Sequence, residues 1–221
     1  MTGFHPGPED LPEEIAIFPL PGALLLPGGR LPLNIFEPRY LAMCFDALAN
    51  GRMFGMIQGD LSRPRRADGG SQVFGAGCLG RLSSFSESED GRLLITLTGV
   101  ARFRVADEIE MRRGYRRVRA DYGPYLADLE PETLPIPRGE VLAALRPYFI
   151  AQGMEVNWEA IEGLGDAALI TTLAMVCPFE VPEKQALLEA ETLPGRAATL
   201  VTLLRMAAHG SGDLPPGGRP S

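Results

Sequence analysis

Lysine is almost missing from this chain of 221 residues: of 21 basic side chains, all but Lys184 are arginine. That scarcity excludes two chemistries. A phosphate-cradling loop must end in Gly-Lys-Ser/Thr, and Lys184 sits in Pro-Glu-Lys-Gln, which cannot serve. A Ser-Lys peptidase needs a lysine to activate its serine, and the spacing puts Lys184 at a helix start between Glu183 and Gln185, where a solvated amine is expected. No serine lies in a GxSxG elbow, so no catalytic residue is assigned. Cysteine is also sparse. Cys44, Cys78 and Cys177 are odd in number and far apart, with apolar neighbours, which fits buried thiols better than a disulfide framework or a CxxC pair. The two histidines, His5 and His209, stand near the ends without Cys, Asp or Glu at ligand spacing, so neither a metal nor a cofactor is expected. No run is apolar for long enough to cross a bilayer, and the first residues, MTGFHPGPEDLPEE, lack a basic region and an apolar stretch, which makes the cytoplasm the default location. The net charge of -7 and a pI near 5.0 argue against a globally nucleic-acid-attracting surface.

What is present begins with Ile15 to Gln58. An apolar run, Ile15 to Phe18, leads through a Pro/Gly-punctuated loop to Leu31, Leu33 and Ile35, which share one side of a strand. Pro32 places that strand at an edge or bulge. Pro38 suits a first helical position, and Leu41, Cys44, Phe45 and Leu48 then fall on one helical face until Asn50-Gly51. Glu37 is expected to cap this helix, and Arg39 to make a local salt bridge or cap a strand carbonyl. A strand, Phe54 to Gln58, follows. Beyond the polar loop bearing Arg63, Arg65 and Arg66, Val73 to Phe85 and Leu93 to Gly99 flank Ser88-Glu89-Asp90-Gly91, a hairpin signal. Arg102 to Val105 and Tyr115 to Tyr122 extend the β pattern, with Val118, Ala120 and Tyr122 on one face. Gly75 to Gly80 matches GxGxxG, but a hairpin follows where a dinucleotide site needs a helix, so a glycine-bent strand is expected.

Four prolines and several acids then mark a linker, 124-137, and the rest is helical. One stripe is Val141, Leu142, Leu145, Tyr148 and Phe149; another is Leu169, Ile170, Leu173, Val176 and Cys177. Asn157 and Asp166 suit N-caps, and Pro182 and Pro194 suit first turns. The expected fold is α+β: a loose stretch 1-12, a curved β-barrel with one inserted helix over 13-123, the linker, a small helical bundle over 138-209, and a disordered tail 210-221.

The stretch IAIFPLPGALLLPGGRLPLNIFEPRYLAM, the pair GAGCLGRLSSF and DGRLLITLTGVARFRV, and the closing PFEVPEKQALLEAETLPGRAATLVTLL resemble the N-terminal substrate-binding domain of Lon-type ATP-dependent proteases, especially short bacterial proteins made of that domain alone. The likeness covers roughly residues 13 to 208. It implies a PUA-like barrel followed by helices, with protein or peptide partners: unfolded or degron-bearing chains, or a protease complex. It implies neither the ATPase nor the peptidase of complete Lon proteases.

Two stretches are candidate binding surfaces. Leu24, Leu25 and Leu26 lie between Pro/Gly breakers; in one reading at least one is exposed and meets apolar segments of a partner protein, and in the other the loop folds over the barrel mouth and buries them. Arg112, Arg113, Tyr115, Arg116, Arg117 and Arg119 form a basic band that Arg63, Arg65 and Arg66 could join. Its functional reading is RNA binding, through phosphate neutralisation and stacking; its bland reading is a solvated strand salt-bridged to the many acids.

Overall fold

The computed structural model describes residues 6–66, 69–131 and 134–210. The tail from 211 and His5 lie outside them. Six strands form one sheet in the order β2-β5-β4-β3-β1-β6, with β5 also pairing to β6. They are β1 (Glu14–Pro19), β2 (Arg30–Ile35), β3 (Met53–Asp60), β4 (Gln72–Glu87), β5 (Leu93–Arg112) and β6 (Tyr115–Asp121). The cycle β5, β4, β3, β1, β6 closes on itself because β5 is long: its first half pairs with β2 and its second half with β6. The result is a curved, irregular ring rather than a regular barrel. β1 and β3 run parallel, with β2 and the first helix as the crossover between them.

Among the described residues β2 pairs only with β5, which suits Pro32 to an edge. The glycines of Gly75 to Gly80 sit inside β4. Gly77 is there for space: a Cβ would come within 2.6 Å of both the Met56 carbonyl oxygen and the Phe103 ring. The sheet's inner cluster, around Ile17, Ile57, Leu79, Phe103 and Val118, is filled by that ring. Asp90-Gly91 closes the β4–β5 hairpin, Gly91 taking a φ of 77°.

The first helix, α1 (Pro38–Ala49), buries Tyr40, Met43, Cys44 and Ala47, whereas Phe45 is exposed. The expected face, Leu41 to Leu48, is thus rotated by about one residue, because Tyr40 packs its ring on Phe18 at 4.1 Å and sets the buried side. Glu37 takes the N-cap position without a side-chain cap bond; its carboxylate accepts from Arg39 instead, at 2.8 and 3.0 Å.

Five helices follow: α2 (Arg138–Ala151), α3 (Trp158–Glu162), α4 (Asp166–Val176), α5 (Val181–Glu189) and α6 (Leu193–Gly210). Asn157 caps α3, its Oδ1 accepting from Ala160 N at 3.0 Å. Asp166 does not cap α4; Gly165 holds that position and Asp166 accepts from Arg138 at 2.9 Å. Most of the two apolar stripes is buried, but Val176 is 68% exposed. One apolar cluster joins Phe18, Leu26 and Leu97 of the sheet side to Leu145, Leu169 and Leu200 of the helices, so the two parts share a core. Within the expected linker, Gly123–Leu129 is 3-10 helix. Of the stretch expected to be loose, Pro8–Asp10 is a 3-10 turn, and the Tyr122 hydroxyl donates to the Pro12 carbonyl at 3.0 Å. Among the described residues, no helix is long and apolar enough to cross a membrane.

Candidate functional site

The seam between sheet and helices is where charged side chains are taken out of water. Arg102, on β5, is 4% exposed. Its Nε and Nη2 donate to the two oxygens of Asp128 at 2.9 and 2.8 Å, and its Nη1 donates to the carbonyls of Leu188 and Ala190 at 3.0 and 2.6 Å. The Tyr125 ring covers the guanidinium at 4.5 Å. Burial alone would lower this arginine's pKa; the bonds to Asp128 outweigh it and raise it. One side chain therefore fastens β5, the 3-10 segment and the end of α5 together.

A second fastening uses α5. Gln185 Nε2 donates to Glu189 at 2.7 Å and Gln58 Nε2 to Gln185 at 3.2 Å. Lys184, expected to be solvated, is 7% exposed, and its Nζ donates to the Gly22 carbonyl at 2.7 Å. Burial lowers its pKa. The correction has a clear cause: the leucine loop folds down onto the start of α5, and its carbonyl replaces the water this amine loses.

The same folding decides the leucine loop. Leu24, Leu25 and Leu26 are each 2% exposed or less: of the two readings, the one in which the loop folds over and buries them holds, and the one that exposes a leucine does not. Gly28 N donates to the Gly99 carbonyl at 3.0 Å and Gly99 N to the Gly29 carbonyl at 2.9 Å, which ties the loop to β5. With the chain anchored there, the leucines point into the shared core and the turn Pro27-Gly28 faces outward, Gly28 having open space beside it.

Around that turn three hollows meet. One of about 810 Å³ runs from Gly28 past Arg52, Arg81 and Thr98 to Asp128 and Glu130. One of about 420 Å³ continues between Pro27, Leu134, Thr171 and Glu191. One of about 400 Å³, mostly apolar, lies between Pro27–Arg30 and the Ala168, Met175 and Val176 side of α4. Leu134 and Val176, at 49% and 68% exposure, stand at this composite cleft. Neither was singled out by sequence: Val176 fell in a helical stripe that reads as core, and Leu134 in a Pro-rich stretch.

The arginine band is brought together differently. Arg113 and Tyr115 both donate to Asp46 at 2.7 Å, and Arg112 lies 3.6 Å from it. Those bonds, Tyr115's first, hold Asp46 below the usual carboxylate range. Arg116 grips Glu108 with two nitrogens at 2.8 and 2.9 Å. Arg66 joins it there, as the sequence suggested, while Arg65 donates to the Gly69 carbonyl. Arg117 meets Glu14 at 2.6 Å, and Arg119 is shared among Glu13, Glu14 and Asp107. The band is thus matched to acids already in the chain. Among the described residues, no group of three or more His, Cys, Asp or Glu could hold a metal ion.

Comparison with known proteins agrees with the fold. The chain is 27% identical over 206 residues to Lon protease 2 of Myxococcus xanthus and 26% identical to the Lon protease of Anaeromyxobacter dehalogenans, alignments covering 89% of this chain but only 24% and 23% of those proteins. It therefore spans about a quarter of their length. Its fold matches the Lon N-terminal domain protein from Xanthomonas campestris with a TM-score of 0.60 at 23% identity, covering 86% of this chain and 97% of that one. It also matches the N-terminal domain of a Mycobacterium avium complex Lon protease with a TM-score of 0.58 at 16% identity. The profile of the ATP-dependent protease La (LON) substrate-binding domain matches residues 14–206, and the chain belongs to that family.

Proposed function

We propose that this chain is a non-catalytic recognition module that holds exposed apolar segments of another polypeptide, an unfolded or degron-bearing protein, in the cleft around Pro27-Gly28. The observation that carries the reading is the cleft itself: it joins the ring to the bundle, its α4 side is apolar, and two large apolar side chains stand exposed beside it. Membership of a substrate-binding family supports a protein partner over a small molecule. In this reading the platform is 13-123, the bundle 138-209, and 124-137 the strap between them, with no ATP or peptide-bond chemistry of its own. No observation favours the RNA alternative, since the arginines it would use are already paired with carboxylates.

Fluorescence anisotropy with a labelled, permanently unfolded polypeptide tests it. Val176→Asp and Leu134→Asp, both at exposed positions, should weaken binding about tenfold while circular dichroism stays unchanged, since apolar hot-spot contacts are of that order. Unaltered affinity in both variants would remove the cleft from the argument.

A further inference from the structure

The charges around this cleft are not arranged like those elsewhere on the molecule. Away from it most arginines are consumed: Arg39, Arg92, Arg113, Arg116, Arg117 and Arg119 each face a carboxylate, with exposed Arg63 and Arg104 as exceptions. Arg30 and Arg52 border the cleft at opposite hollows, are exposed, and have no side-chain hydrogen bond or ion pair with any described residue. Arg52 is held there by an uncommon backbone, with a φ of 61° just after the turn that ends α1. Between them the cleft carries the opposite sign. Asp128 is spent on Arg102, and Arg196, which also lines the central hollow, is buried and donates to the Leu187 carbonyl, which leaves Glu130 and Glu191 as its exposed charges. The surface therefore reads as an apolar, weakly acidic middle with a cation at each side.

We propose that the cleft takes an extended polypeptide segment whose apolar side chains are flanked at both ends by carboxylates, one meeting Arg30 and the other Arg52. Charge complementarity commits the occupant. An acidic group at either end gains a guanidinium that has no ion pair to give up, whereas one in the middle would face the like charges of Glu130 and Glu191. A basic segment meets the reverse. The segment's apolar side chains lie against Leu134 in the central hollow and against Met175 and Val176 on the Arg30 side, where burial is favourable at about 25 cal/mol per Å².

This inference rests on the recognition reading above, and the experiment separates the two. The probes are a labelled peptide of leucines and valines with aspartates at both ends, its twin with asparagines there, and a single-stranded oligonucleotide. The aspartate peptide should bind roughly fivefold tighter than its twin, the scale of partly exposed charge pairs. Arg30→Glu and Arg52→Glu should each erase most of that gap, whereas Arg104→Glu, which makes the same change in net charge in a different hollow, should leave it. Raising the salt should close the gap in the unaltered protein, which keeps the test alive should a variant misfold. Equal binding of the two peptides overturns the flanking-carboxylate proposal and leaves the recognition module standing. No binding of either peptide overturns both. Tighter binding of the oligonucleotide than of the aspartate peptide overturns the polypeptide occupant.

Discussion

Arg102 and Arg119 lie on neighbouring strands and both meet aspartates, yet they belong to different physical regimes. At the seam, Arg102 and Asp128 are 5% and 9% exposed at their side chains, and every nitrogen of the guanidinium has an oxygen to donate to. On the outer face of β6, Arg119 is 43% exposed and its partner Asp107 67%. Water competes at the second site and not at the first. A run of arginines can therefore be conspicuous in the sequence and weak in energy, while one unremarkable Arg within ARFRV holds two halves of the molecule together.

The largest expected effect breaks the buried pair. Arg102→Met leaves Asp128 desolvated with no cation and should cost about 3–5 kcal/mol in urea unfolding. Adding Asp128→Leu should recover much of that loss, because the penalty is the orphaned charge and not the absent attraction. A double variant no more stable than the single one would mean that Asp128 is solvated.

The next effect is a pH dependence confined to the buried side. Burial raises the Cys177 thiol to about 11, against an ordinary value of 9.0. A folded-state pKa above the unfolded one gives stability that is fully present below about pH 9 and is lost as pH rises toward 11. That loss is about 2 kcal/mol at pH 11 for this thiol alone. Cys44, raised to about 12, adds in the same direction. Lys184 works the other way, since its pKa is lowered and its burial cost fades as the solution approaches the lysine's own titration range. Cys78, also raised by burial, acts in the same direction, so with three thiols against one amine Tm should fall across this window, and Cys177→Ala should make the slope shallower. A Tm independent of pH from 9 to 11 would contradict the burial.

The smallest effect is the counterpart of the first. Arg119→Ala should change stability by no more than about 0.5 kcal/mol in thermal unfolding, since exposed pairs contribute little and its carboxylates stay hydrated without it. A loss as large as that of Arg102→Met would erase the contrast between the two sites.

Much of the fold was legible because local chemistry speaks plainly in it. Pro32 announced an edge, Asp90-Gly91 a hairpin, and Val118, Ala120 and Tyr122 a shared face that is buried, and each holds. The misreadings share a cause. Phe45 and Val176 lie in apolar stripes yet face solvent, because a stripe fixes only spacing and the packed neighbour chooses which edge of it is covered. Lys184 looked solvated because a lysine between polar residues usually is, and its partner is a backbone carbonyl 162 residues away. The cleft was illegible for the same reason: Gly28, Arg52, Leu134 and Val176 share no segment, spacing or motif.

By itself the sequence determined the α+β class, the order of the elements, the burial of the three cysteines and the family, because periodicity, breakers and ordered local motifs are properties of short stretches. Only the tertiary structure decided what each conspicuous stretch is for. Tying Gly28 and Gly29 to Gly99 turned three leucines inward, and strand register set each arginine of β6 beside an acid from elsewhere in the chain. Exposure and pairing are set by what long-range contacts bring alongside a residue, and no local pattern carries that information.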